Sequence, residues 1–303
     1  VVLPEPQVSP QDDLISCSGE WISVPEFTSN FRGDSVRYSW VVSDSSLGLS
    51  SGSGDRIPDF QAINSGTGSK RALIAVTPRG YFQGIACTGL PHTFSLTVRA
   101  PLVIEEELSN YAGHGVTCAG AADGKIKLHL SGGFVSDTVV NYLYSWIGPE
   151  GFVSSASKLE GLKAGVYRVS ITTEIGACVL EKTITLTQPD PLWIQAITPP
   201  NSLVAIPCAG SNSGKIQVEV GGGTGNKTLF WTASNGGLIP LGMENSPLLE
   251  GLQVGTYLLR VTDENGCGVQ HTFSVTEPEP LRISQAKVDN SCFGGSSGRL
   301  SVL

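Results

Sequence analysis

Seven cysteines, at positions 17, 87, 118, 178, 208, 267 and 292, are the residues of this 303-residue chain best suited to covalent chemistry. Their wide gaps do not fit structural zinc, which wants closely spaced Cys-x-x-Cys pairs. Disulfide formation is the chemistry left to them, and such bonds persist in oxidising compartments, so the chain is expected outside the cytosol. Histidines offer no alternative, because His92, His114, His129 and His271 include no pair at metal-ligand or helical spacing and read as solvent-facing strand residues. Gly221-Gly-Gly-Thr-Gly225 lacks the Lys-Ser/Thr that completes a phosphate loop, and Gly48-Leu-Ser-Ser-Gly52 is set aside as a nucleophile elbow. The acidic runs Asp12-Asp13 and Glu105-Glu-Glu107 have calcium-binding residue types without the spaced ligand pattern, and read as solvated charge. No catalytic, cofactor-binding or metal-binding set is expected, with calcium at these acidic runs kept as the alternative, and the chain does not read as an enzyme.

The elements that position the cysteines follow from a repeat. Cys118-Ala-Gly-Ala-Ala-Asp-Gly-Lys-Ile-Lys-Leu returns as Cys208-Ala-Gly-Ser-Asn-Ser-Gly-Lys-Ile-Gln-Val and begins again at Cys292-Phe-Gly-Gly-Ser-Ser-Gly-Arg-Leu. Leu159-Glu-Gly-Leu-Lys-Ala-Gly-Val-Tyr167 answers Leu249-Glu-Gly-Leu-Gln-Val-Gly-Thr-Tyr257. Pro-rich joints at 187–194 and 276–283 mark seams, and 99–104 has the same character. The domains expected are 1–100, 101–190, 191–279 and the start of a further repeat at 280–303. Each of the three complete modules has one early and one late cysteine, which predicts the pairs Cys17 with Cys87, Cys118 with Cys178, and Cys208 with Cys267. Cys292 is left alone because its partner would lie beyond Leu303. A bridge closing a sixty-residue loop contributes about 4 kcal/mol by chain entropy.

Ile126, Leu128 and Leu130 alternate with Lys125, Lys127 and His129, and Ile216, Val218 and Val220 repeat the pattern, as half-buried strands do. Tyr38-Ser-Trp40, Tyr144-Ser-Trp146 and Phe230-Trp231 each place a Trp to pack between two sheets, and Tyr167 and Tyr257 follow a Gly corner. Many Gly and Pro residues, a single Met and about seven strands per ninety residues point to an all-β chain of immunoglobulin-like sandwiches arranged end to end. Asp263-Glu-Asn265-Gly266 reads as a turn whose Asn-Gly tip takes positive φ. A net charge of -8 argues against nucleic acid as partner, and no apolar run is long enough to insert in a membrane. A signal peptide is missing from the first residues, which suggests a mature fragment.

These phrases, Cys-x-Gly…Gly-Lys-Ile, aromatic-x-Trp, Leu-x-Gly-Leu-x-x-Gly-x-Tyr and Val261-Thr-Asp-Glu-Asn-Gly-Cys267, resemble the SprB repeat of Bacteroidota surface adhesins over residues 102–303. Residues 1–100, with Tyr38-Ser-Trp40, Ile57-Pro-Asp-Phe60 and Ile74-Ala-Val-Thr-Pro78, are similar to PKD-like domains. Phe230 adjoins Trp231 without a spacer, and Ile175-Gly-Ala precedes Cys178 where the family has Asp-x-Asn-Gly. The resemblance implies a long protein exported by type IX secretion, carried on the outer membrane and used for surface attachment or gliding. Its partners would be neighbouring modules of the same chain, extracellular surfaces, and the secretion and motility machinery. It also implies O-glycosylation at Asp-Ser/Thr-aliphatic triplets, matched at Ser35 and Thr138. The function expected is a disulfide-pinned stalk; the alternative is a glycan- or polymer-binding module, with Trp193 or tip aromatics carrying the contact.

Overall fold

The computed structural model describes residues 4–133, 141–173, 178–283, 285–288 and 299–302. Thr138 and Cys292 lie outside the described residues. The chain is all-β, apart from short 3-10 turns such as Ser45–Leu47, and its strands build two-layered immunoglobulin-like sandwiches.

The first sandwich contains β1 (Leu14–Cys17), β2 (Trp21–Ile22), β3 (Ser35–Val42), β4 (Gly52–Ser53), β5 (Phe60–Gln61), β6 (Lys70–Phe82), β7 (Ile85–Thr88) and β8 (His92–Arg99). Its main sheet has the order β1-β8-β6-β3-β4, with β7 on the far end of β6, and β2 pairs with β5 in a second layer. Ala72, Ile74 and Val76 on β6 are fully buried and face Leu96, Val98 and Trp40 in one core. A strand with alternate apolar positions buries one face and wets the other.

In the first repeat, β9 (Val103–Leu108), β10 (Ala122–Ser131) and β13 (Lys158–Lys163) form one sheet. The other holds β11 (Tyr142–Ile147), β12 (Val153–Ser154), β14 (Gly165–Thr173) and β15 (Val179–Leu186). The second repeat has the same two layers: β16 (Trp193–Thr198), β18 (Gly214–Gly221) and β20 (Leu248–Leu252) against β17 (Leu203–Ala205), β22 (Gly268–Thr276), β21 (Gly255–Thr262) and β19 (Thr228–Ser234). Beyond it, β23 (Gln285–Val288) pairs antiparallel with β24 (Arg299–Val302), as β9 pairs with β10 and β16 with β18.

Three side chains anchor the layers as the sequence predicts. Trp40, Trp146 and Trp231 are buried, and each indole Nε1 donates to a carbonyl on the facing loop, of Ser50, Ala156 and Ser246 at 2.9–3.0 Å. Tyr167 and Tyr257 turn back four residues, their hydroxyls donating to the carbonyls of Lys163 (2.8 Å) and Gln253 (2.9 Å). That is the tyrosine corner of immunoglobulin-like sandwiches.

Strand direction sets which pole of a sandwich each loop occupies. β1 runs parallel to β8, with Cys17 opposite Arg99, and β17 runs parallel to β22, with Ala205 opposite Thr276. The segments before Cys17 and Cys208 therefore end at the pole where the last strand leaves the module, and before Cys118 the Gly115 N–H reaches the Thr187 carbonyl, one residue past β15. The turn before the last strand lies at the other pole.

Contacts divide the chain into two compact units, residues 1–109 with 123–186, and residues 110–122 with 187–303. Segment 110–122, expected within the first repeat, thus groups with the second. Within that unit Gly115 N–H donates to the Thr187 carbonyl and Cys118 is bonded to Cys267.

Candidate functional site: the paired cysteines

The disulfides differ from the predicted pairs. Cys17 is bonded to Cys178 and Cys118 to Cys267, with Cα–Cα separations of 5.6 and 5.7 Å, while Cys87 and Cys208 are exposed thiols. The predicted pairs Cys17 with Cys87, Cys118 with Cys178, and Cys208 with Cys267 are therefore replaced. Each observed bridge joins one module to the next in sequence, and each lies within one compact unit.

Sandwich topology is the physical reason. Cys17 sits level with the Lys70 end of β6, since it pairs with Arg99 and Val98 pairs with Lys70; Cys87 pairs with Gly80. Ten residues of strand separate those levels, roughly 33 Å at the usual rise. A disulfide needs Cα atoms within about 7 Å. Likewise Cys267 immediately precedes β22, whereas Cys208 follows Ile206, whose N–H donates to the Thr276 carbonyl at that strand's other end. Early and late cysteines occupy opposite poles, so repeat phase pairs them correctly in count and incorrectly in space.

Each early cysteine is held in one kind of turn. The Cys17, Cys118 and Cys208 carbonyls accept from the N–H groups of Glu20, Ala121 and Ser211, at 3.0–3.2 Å. Gly19, Gly120 and Gly210, two residues after each cysteine, have φ of 97°, 77° and 74°, a conformation that side chains disfavour and glycine adopts freely. Glu20 closes the first turn further, its Oε2 accepting from Cys17 N–H at 2.9 Å and Ser16 Oγ at 2.8 Å. In the repeats the turn is tied to a side chain just beyond the last strand. Gly120 N–H donates to Gln188 Oε1, and Gly210 N–H to Glu277 Oε2.

The late cysteine of the second repeat is presented by a different device. Asp263 is 7% exposed and accepts from Thr224 N–H and Oγ1, Asn265 N–H and Cys267 N–H at 2.8–3.1 Å. Burial alone raises its pKa, but the bonds from Thr224, Cys267 and Asn265 outweigh it and hold the carboxyl below its ordinary value. Gly266 takes φ 84°, while Asn265 stays out of the positive region, so only one residue of the Asn-Gly tip has the predicted conformation. Asn265 Nδ2 instead reaches the Thr117 carbonyl, 3.4 Å away, beside the bridge. Sequence reasoning missed Glu20, Asp263 and Asn265 as supports of the bridges; an Asp four residues before a hairpin cysteine was the available signal.

The other residues singled out take structural places. Asp13 accepts from Ser95 N–H and lies 3.8 Å from Arg71. Glu107 pairs with Lys127 and His129, and Glu106 with Lys182. Among the described residues no group of three His, Cys, Asp or Glu is placed to hold a metal ion. His92 Nε2 accepts from Gln11 N–H, and His114 forms a bridge with Tyr111. Ser202 Oγ lies 2.6 Å from His271 Nε2, a pairing missed in the sequence; among the described residues no carboxylate bonds the imidazole to complete a triad. Gly48-Leu-Ser-Ser-Gly52 does have Gly-x-Ser-x-Gly spacing, yet it leads into β4 and not into a helix, and the Ser50 carbonyl is spent on Trp40. Trp193 is 41% exposed and lies on strand β16 over Gly221, not on a tip loop. Ser35 is exposed at the first residue of β3.

Residues 116–151 match the family model described as the SprB repeat. No curated protein matches the chain. Solved structures similar to it include the three N-terminal domains of the highly immunogenic outer capsid protein (Hoc) of bacteriophage RB49, at 12% identity over 93% of this chain and 100% of that one, with TM-score 0.37. Dpr2 Ig1-Ig2 in complex with DIP-Theta Ig1-Ig3 is another, at 10% identity over 91% and 100%, with TM-score 0.32. The N-terminal eight Ig domains of Down Syndrome Cell Adhesion Molecule align at 15% identity over 94% of this chain and 38% of that one, with TM-score 0.31. The fold and the match define a tandem immunoglobulin-like, disulfide-bonded chain that carries a SprB repeat match at residues 116–151.

Proposed function

We propose that this chain is a non-catalytic stalk segment of a long surface adhesin, serving attachment or gliding motility, with a PKD-like module preceding SprB-type repeats. The observation that carries the reading is that both bridges join consecutive modules. A seam crossed by the backbone and by a second covalent tether resists bending and twisting far better than a short Pro-containing linker alone. Load applied at the ends passes through the sulfurs, and long stretches of each sandwich are shielded from it. Export by type IX secretion, outer-membrane attachment and a Bacteroidota source accompany this proposal through the repeat resemblance.

Single-molecule stretching of the chain tests it. Fully extended, 303 residues reach ~1,000 Å when reduced, whereas the bridged chain stops at about a third of that. Equal lengths with and without reductant overturn the load-bearing reading. Reproducible glycan-array binding by the fragment, lost on Trp193→Ala, overturns it in favour of a binding module.

A further inference from the structure

The two bridges obey one rule. The early cysteine of a module, at the pole where the last strand leaves, takes the late cysteine of the following module, at the pole where that module's last hairpin turns. Cys17 of the first module takes Cys178 of the second, and Cys118 of the second takes Cys267 of the third. Cys208 and Cys87 are the two described cysteines outside a bridge. By the same rule Cys208 is the early cysteine of the third module and Cys87 the late cysteine of the first.

We infer that Cys208 is a docking position for the late cysteine of a further repeat of this kind placed directly after residues 191–279, and that Cys87 receives the early cysteine of a module placed directly before residue 1, continuing a disulfide ladder from module to module. Burial and turn geometry support this apart from the thiols themselves. Cys208 is exposed and stands in the same turn as bonded Cys118: a carbonyl bond from the residue three later, a positive-φ glycine two later, and a tie to a side chain just beyond the last strand. Pro207 offers its carbonyl in the place of Thr117, which accepts from Asn265 beside the Cys118–Cys267 bridge. Cys87 is exposed at the hairpin end of β6, the pole that matches Cys178 and Cys267. The partner recognised is thus a sandwich that presents a cysteine just before its last strand, not a small thiol. This inference concerns module order only and stands whether or not the chain bears load.

Formation of the rung needs an oxidant of the disulfide class. With glutathione disulfide, the partner cysteine first exchanges to a mixed disulfide, releasing one glutathione. The Cys208 thiolate then attacks the protein sulfur, forming the new S–S bond and expelling the second glutathione as thiolate.

Two chains decide the matter. In the first, residues 220–279 are appended after Leu303, completing the repeat that begins at 280 and supplying a second copy of Cys267. After oxidation in a glutathione buffer, non-reducing peptide mapping is expected to show Cys208 linked to the appended cysteine, with loss of Cys208 alkylation. An appended cysteine bonded to Cys292, or left free beside a free Cys208 in a graft whose near-UV circular dichroism shows it folded, overturns the inference. The second is the 303-residue chain with Cys118→Ser, which frees Cys267 in the module that holds Cys208. Both thiols are expected to remain alkylatable, because they occupy opposite poles. A Cys208–Cys267 bond there overturns the inference whatever the graft does.

Discussion

In residues 1–100 the early cysteine, Cys17, is bonded and the hairpin cysteine, Cys87, is an exposed thiol; in residues 191–279 the hairpin cysteine, Cys267, is bonded and the early one, Cys208, is exposed. The two modules share a fold, a central Trp and the parallel pairing of a short early strand with the last strand. Their opposite thiol states show that oxidation here is a property of a seam, not of a module. A cysteine is bonded when a neighbour brings the matching pole to it.

Removing a bridge tests this difference most severely. Cys17→Ala with Cys178→Ala, or Cys118→Ala with Cys267→Ala, releases a denatured-state constraint over 161 or 149 residues. Each is expected to lower stability by up to about 5 kcal/mol. Urea unfolding followed by Trp fluorescence measures this, and a negligible change for either pair breaks the view that the seams are the stapled regions.

The hairpins give a smaller contrast. Asp263→Asn removes the charge that accepts four bonds around Cys267, with an expected loss of about 2 kcal/mol. The folded carboxyl titrates below its unfolded value. Its contribution is therefore complete above the ordinary aspartate pKa and disappears as pH falls through the lowered one. Acid unfolding at and below the ordinary aspartate range should be shallower in the Asn variant. In residues 1–100 the corresponding position, four before Cys87, is Gln83, so that module should not share this acid sensitivity.

Tyr167→Phe and Tyr257→Phe each remove one hydroxyl bond at a corner of the same geometry. Each is expected to cost about 1 kcal/mol, and equal losses by denaturant titration would show that the two repeats differ at their poles and not in their cores. Cys87→Ser and Cys208→Ser should change stability least, within about 0.5 kcal/mol, since both side chains are exposed and unbonded. A thermal shift as large as that of a bridge variant would mean that one of them is already engaged.

Much of this fold is legible in one dimension because its signals are local. Alternation on β10 and β18, the Trp between layers and the Gly-x-Tyr corner each depend on residues within a few positions of one another. Bridge partners do not. The repeat supplies two cysteines per module but carries no direct mark of which pole each occupies. That is set by long-range pairings, Leu14 with Leu96 and Leu203 with Ser274, which run parallel and so carry each early cysteine to the exit end of its module. The support from Asn265 was invisible for a related reason, since its bond to the Thr117 carbonyl exists only once the two segments meet.

Composition, repeat phase and periodicity by themselves determined an all-β, cysteine-bearing chain of repeated sandwiches, because the residues facing a core or making a tight turn are chosen by neighbours a few positions away. Tertiary structure alone decided who bonds to whom. Sulfur atoms join only when their α-carbons come within a few ångströms, and strand direction, not distance along the chain, brings one module's exit pole to the next module's hairpin.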